Sequence, residues 1–120
     1  MLTYSGINRP LFIYQNSNLI ELKGSKFTFN KSDDVSKGII VEQSIELNKG
    51  TIIYACSDGY QDQFGGPNNK KFSSGSFKKI LQKCAQKEYI EQKYFLNRTI
   101  ENWRGENEQT DDILVFSLKI

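Results

Sequence analysis

The sequence predicts an α+β fold, and three observations predict it. Short apolar runs separated by turn residues fill the first half of the chain, at 2–4, 11–14, 19–22, 44–47 and 51–56. Two segments with helical spacing of apolar residues follow, and one alternating strand, 113–120, closes the chain. Strands collected at one end and helices at the other mark an α+β arrangement rather than strict strand–helix alternation.

Each element has its own local reason. Leu2-Thr3-Tyr4 precedes the turn-rich Ser5-Gly6-Ile7-Asn8-Arg9-Pro10, and the apolar Leu11 to Tyr14 comes next. Gln15-Asn16-Ser17-Asn18 has hairpin-turn chemistry, so Leu19 to Leu22 returns as the partner strand. Residues 23–41 are polar and read as a long loop holding one irregular strand at most, of a length that is often functional or mobile. Ser44 to Leu47 alternates, Asn48-Lys49-Gly50 turns the chain, and Thr51 to Cys56 is apolar enough for a strand covered on both faces. Ser57-Asp58-Gly59 then leaves that strand, and Phe64 to Asn69 carries loop signals.

Ser73 or Ser74 caps the first helix, whose Phe77, Ile80, Leu81 and Cys84 form one stripe at i, i+3, i+4, i+7. Lys79, Lys83 and Lys87 line a different face. The second helix sets Tyr89, Leu96, Ile100 and Trp103 on a common side and stops at Gly105. In the last strand Leu114, Phe116, Leu118 and Ile120 share a face. No repeat and no boundary interrupts the chain, so 1–120 reads as a single domain.

Composition excludes several function classes. Hydrophobic residues make up 38% and charged residues 25% of the 120, an ordinary globular balance that can build a core. A net charge of +2 is too small to argue for nucleic acid as a partner. The lysine face lacks the interleaved aromatics and the motif of a nucleic-acid binder, so none is expected. Residues 67–93 hold seven lysines against two glutamates, a solvated helix face, while 101–112 hold five acids against one arginine. No apolar run has the length of a membrane span, so no insertion is expected. The chain has no histidine, which removes the usual zinc sites and histidine-based triads. Cys56 and Cys84 sit in apolar settings and read as core thiols of a reducing, cytoplasmic compartment.

Two acidic motifs remain, each attached to an apolar run: Tyr54-Ala55-Cys56-Ser57-Asp58-Gly59 and Gln109-Thr110-Asp111-Asp112-Ile113-Leu114. Carboxylates held at rigid strand ends suit hard cations such as magnesium and manganese, which keep several waters. Metal-dependent phosphate chemistry is the function class they indicate. Asp62, four residues after Asp58, shares a helical face with it if a helix starts there.

These motifs lie in a longer pattern. Leu2-Thr3-Tyr4-Ser5-Gly6 with Asn8-Arg9-Pro10-Leu11, Leu47-Asn48-Lys49-Gly50, Ser57-Asp58-Gly59-Tyr60-Gln61-Asp62-Gln63-Phe64-Gly65-Gly66, Lys71-Phe72, Trp103-Arg104-Gly105 and Gln109 to Leu114 follow one another in order. In that order they resemble the C-terminal part of the SpoIIE/RsbU-like branch of the PP2C phosphatases, with 25–42 the least typical stretch. The resemblance implies two stacked antiparallel sheets with antiparallel helix pairs outside. It also implies hydrolysis of phosphoserine or phosphothreonine in a phosphoprotein, with two Mn²⁺ or Mg²⁺ ions. Asp58 and Asp111 match metal aspartates, while Gly59, Asp62 and Asp112 take places beside the ligands. Gly65-Gly66-Pro67 matches a flap near the site, and Tyr60, Phe64 and Trp103 read as packing residues.

The family's N-terminal motif, an Asp with a Gly-His-Gly element, has no counterpart in a histidine-free chain. The expectation is therefore a partial domain lacking its first strands, a poor phosphatase alone, and self-association through open sheet edges at Leu11 to Tyr14 and Leu114 to Ile120. The complete domain is expected to serve regulatory signalling, such as control of an anti-sigma-factor antagonist. A non-catalytic regulatory module built on the same fold is the alternative.

Overall fold

The computed structural model describes residues 1–25 and 40–120. In chain order the elements are β1 (Leu2–Ser5), β2 (Leu11–Gln15), β3 (Asn18–Leu22), β4 (Glu42–Ile45), β5 (Ile52–Cys56), α1 (Gly59–Asp62), β6 (Phe64–Gly65), β7 (Lys70–Lys71), α2 (Ser74–Ala85), α3 (Tyr89–Arg104) and β8 (Val115–Lys119). They fall into two compact units, Met1–Cys56 with Phe116–Ile120, and Ser57–Val115. Most of the loop expected over 23–41, residues 26–39, lies outside the described residues.

The first unit is built of strands. Its main sheet has the order β3-β2-β5-β8, and β1 pairs with β4 in a separate two-stranded sheet. The pairings β1·β4, β2·β3 and β2·β5 are antiparallel. Asn16 and Ser17 turn the β2–β3 hairpin with φ of 53° and 63°, the left-handed pair that matches strand twist in a two-residue turn. β5 lies between β2 and β8, and Ile52, Ile53 and Tyr54 are buried with Phe12 and Ile13 of β2. This is the continuously apolar run, and its central place explains its composition. Thr51 before it is buried too, its hydroxyl donating to Gln15 Oε1 at 2.8 Å. β4 begins two residues before the alternating segment 44–47, because its register on β1 runs from Leu2↔Ile45 to Ser5↔Glu42 and β1 ends there.

The second unit packs α2 and α3 over an aromatic core. Tyr60 lies 4.8 Å from Phe77 and 5.4 Å from Phe72, and Phe72 meets the edge of Trp103 at 5.4 Å. Phe77, Leu81 and Cys84 of the α2 stripe are fully buried, as their spacing predicts. Ser73 caps α2, its hydroxyl accepting from Ser76 N at 3.2 Å. α3 ends at Gly105, whose φ is +55°.

Three expectations are corrected. β2 has β3 on one side and β5 on the other, so Leu11 to Tyr14 is an interior strand and not an open sheet edge. Tyr89 is 40% exposed, and the inward place one turn later belongs to Gln92 at 3%. Gln92 earns burial by closing the turn between the helices. Its side-chain amide donates to Lys87 O at 3.3 Å, and its main-chain carbonyl accepts from Cys84 Sγ at 3.8 Å. The segment read as a plain loop from Phe64 to Asn69 contains a small hairpin, with Phe64↔Lys71 and Gly65↔Lys70 paired. Two-residue strands are too short to show a period.

Candidate functional site

β5 delivers the chain to Ser57-Asp58-Gly59, and Asp58 is the cap residue of the short helix α1. Its carbonyl accepts from Asp62 N at 3.0 Å, and its side chain does not cap the helix. The residues on either side of Asp58 are both seated on the second acidic motif. The Ser57 hydroxyl donates to Asp112 O at 2.9 Å and accepts from Leu114 N at 3.0 Å. Ser57 N donates to Leu114 O at 3.0 Å. Gly59 is packed so closely on the Asp112 carbonyl and Ile113 Cα that a Cβ has no room. Glycine is required here by close approach of two backbones. The two motifs, far apart in sequence, therefore adjoin along their main chains.

Asp111 and Asp112 are both exposed. Asp111 Oδ1 accepts from Asp112 N at 2.7 Å, which holds its carboxylate against the turn, and Gln109 Nε2 donates to Asp111 O at 2.9 Å. Asp62 faces Lys71, with 3.8 Å between Nζ and Oδ1. Gly65 and Gly66 lie against Trp103, and Gly66 N donates to Trp103 O at 2.9 Å. Trp103 in turn donates its indole N–H to Gln63 O at 2.9 Å. The segment expected as a flap is thus tied to the end of α3. Tyr60 is buried, whereas Phe64 is 38% exposed, with Lys71 Nζ 6.0 Å from its ring centroid.

Gln63 and Ser57 are the residues that sequence reasoning passed over. Gln63 is fully buried, and its side chain pins the approach to Asp111. Nε2 donates to Glu108 O at 2.9 Å and to Phe64 O at 3.0 Å, while Oε1 accepts from Thr110 N at 3.3 Å. A glutamine within Gln61-Asp62-Gln63 gives no hydrophobic-period signal. Its burial comes from polar partners, not apolar neighbours.

The donor chemistry fits a hard cation: oxygen ligands, exposed or half-buried, on segments braced by main-chain contacts. Asp58 and Asp111 are the side chains that would hold it. Among the described residues no group of three or more His, Cys, Asp or Glu is placed to hold a metal ion.

No family model matches the chain, and no curated protein matches it. Solved structures do. The SiaA-PP2C domain of Pseudomonas aeruginosa aligns with a TM-score of 0.76 at 27% identity, over 95% of this chain. The chain has a PP2C-like fold. It spans 44% of that SiaA chain. The same PP2C-like fold recurs in the SpoIIE phosphatase domain of Bacillus subtilis. Solved with a fragment of its regulatory domain, SpoIIE aligns at TM-score 0.68 and 16% identity, over 98% of this chain and 33% of its own. A second structure of that phosphatase domain aligns at 0.58 and 16%, over 98% of this chain and 50% of its own. The resemblance read from the motifs therefore extends to the three-dimensional fold, mixed helices and antiparallel sheets included. Among the described residues no helix is long and apolar enough to cross a membrane.

Proposed function

We propose that this chain is the Asp58- and Asp111-bearing portion of a metal-dependent protein serine/threonine phosphatase. The observation that carries the reading is the seating of Ser57 and Gly59 on Asp112–Leu114, which braces one carboxylate motif directly against the other. In this reading Asp58 and Asp111 are the chain's ligands for a pair of Mn²⁺ or Mg²⁺ ions. Such ions, when bound, neutralise the phosphate and acidify a water for attack on phosphorus. The protein's own part is positional. Ser57 and Gly59 fix the Asp58 turn, Gln63 fixes the 108–110 approach, and the Asp112 amide orients the Asp111 carboxylate. Asp62 and Asp112 stand beside the ligands. A phosphoprotein is the substrate in this reading, the setting cytoplasmic regulatory signalling such as control of an anti-sigma-factor antagonist.

The test uses the longer protein that contains this chain and a phosphoserine peptide. Asp58→Asn is expected to lower Mn²⁺-dependent phosphate release by about a hundredfold or more while the unfolding midpoint stays put. The short ligand set among the described residues favours a second reading, a regulatory module without catalysis. A longer protein that neither binds Mn²⁺ nor releases phosphate would select that reading.

A further inference from the structure

The outward side of α3 carries side chains that a solvated helix does not need. Ile90 and Tyr94, one turn apart, are 79% and 67% exposed. They form a ridge with Glu91, Arg98 and Glu101, all exposed, because residues three, four and seven apart recur on one side of a helix. Lys87, just before the helix, lies on the same side, its Nζ 4.6 Å from the Phe95 ring centroid. A shallow groove of about 680 Å³ runs along the ridge, lined by Lys87, Glu91, Tyr94, Phe95, Arg98 and Asn102. Among the described residues none of Glu91, Arg98 and Glu101 forms an ion pair.

The order of charges along this ridge is self-complementary. Lys87 stands seven positions before Tyr94 and Glu101 seven after it; Glu91 stands three before and Arg98 four after. Turning a second α3 end for end about Tyr94 sets Lys87 opposite the mate's Glu101 and Glu91 opposite the mate's Arg98. Two-fold symmetry repeats each pair. The same operation brings Tyr94 against its own mate, where aromatic rings stack, and lays the apolar stem of Arg98 over the mate's Ile90. A parallel arrangement instead matches like charges. Ridge-into-groove packing supplies the remaining fit, and a two-fold contact needs only one patch that complements itself.

We propose that the Ile90–Tyr94 ridge of α3 is a homodimer surface that joins two copies of this chain antiparallel about Tyr94. The contact lies on one 16-residue helix and the Lys87 that precedes it, so association is weak and concentration-dependent. It is independent of the phosphatase reading and of the sheet edges.

Sedimentation of the purified chain across a concentration series tests it. The wild-type chain forms a dimer, and Arg98→Glu weakens it about tenfold or more by facing Glu91 with a like charge. The swap Glu91→Arg with Arg98→Glu restores the affinity. Glu101→Lys, which faces Lys87, is the second disrupting variant. Tyr94→Cys in a Cys56→Ser background forms a disulfide-linked dimer on mild oxidation, since the two thiols meet at the axis. A chain that stays monomeric at every concentration overturns the proposal. So does a dimer indifferent to Arg98→Glu and Glu101→Lys, or one lost on changing Phe116.

Discussion

Each hydrogen-bonding atom of the Gln63 side chain has a main-chain partner, on Phe64, Glu108 and Thr110. An amide can both donate and accept, which is what this site requires. Gln63→Leu keeps the bulk but strands the Glu108 carbonyl and the Thr110 amide. A loss of about 2 kcal/mol is expected in urea unfolding. Gln63→Glu does not rescue it, because an ionised carboxylate has no proton for the Glu108 carbonyl. Tyr60 offers a pH test at the same scale. Burial holds its hydroxyl proton well above the usual tyrosine range, and the hydroxyl donates to Leu96 O at 2.7 Å. The folded state thus keeps a proton that the unfolded chain releases near pH 10. Stability from this group is intact below about pH 10 and falls as pH rises beyond it. Unfolding curves at rising alkaline pH should show the fall, and Tyr60→Phe should flatten it.

At the scale of elements, α2 shows how a cap and a strained backbone compete. Ser73 has φ of +84°, yet its hydroxyl holds the Ser76 amide. Ser73→Ala loses the cap and keeps the strain, and is expected to cost about 1–2 kcal/mol in thermal unfolding. Ser73→Gly loses the same bond but relaxes the backbone, so its effect should stay within a few tenths of a kcal/mol. The caps, stripes and hairpin turn of this fold were legible because each depends on residues close in sequence. Ser73, Gly105 and the Asn16-Ser17 turn all stand where their chemistry predicts. The limits of β4 were not legible, since the register on β1 sets them. Nor was the β6–β7 hairpin, whose anchor is Trp103 from the end of α3.

Over the whole molecule, β8 turns its larger apolar side chains outward. Phe116, Leu118 and Ile120 are about half exposed, whereas Val115 and Ser117, at the alternate positions, are better covered. β8 ends the described sheet, and an apolar edge of this kind is a template for other chains. Sheet-edge association remains a proposal beside the α3 contact, and the two separate cleanly. Phe116→Ser with Leu118→Thr should suppress open-ended aggregation in light scattering and leave the α3 dimer intact. Their effect on stability should stay within about 0.5 kcal/mol, because neither side chain is buried.

The sequence by itself determined the α+β class, the family resemblance and both acidic motifs. Each is carried by local spacing or by residues that stand together: alternation in strands, a 3.6-residue stripe in α2, Asp-Gly after a buried run. Tertiary structure alone decided that Ser57 and Gly59 rest on Asp112–Leu114, that Gln63 is buried to hold the path to Asp111, and that Tyr89 yields its inward place to Gln92. Those outcomes depend on which distant backbone group arrives beside a side chain. A polar residue reveals no such partner in its own stretch of sequence, because its burial is stabilised by a hydrogen bond and not by hydrophobicity.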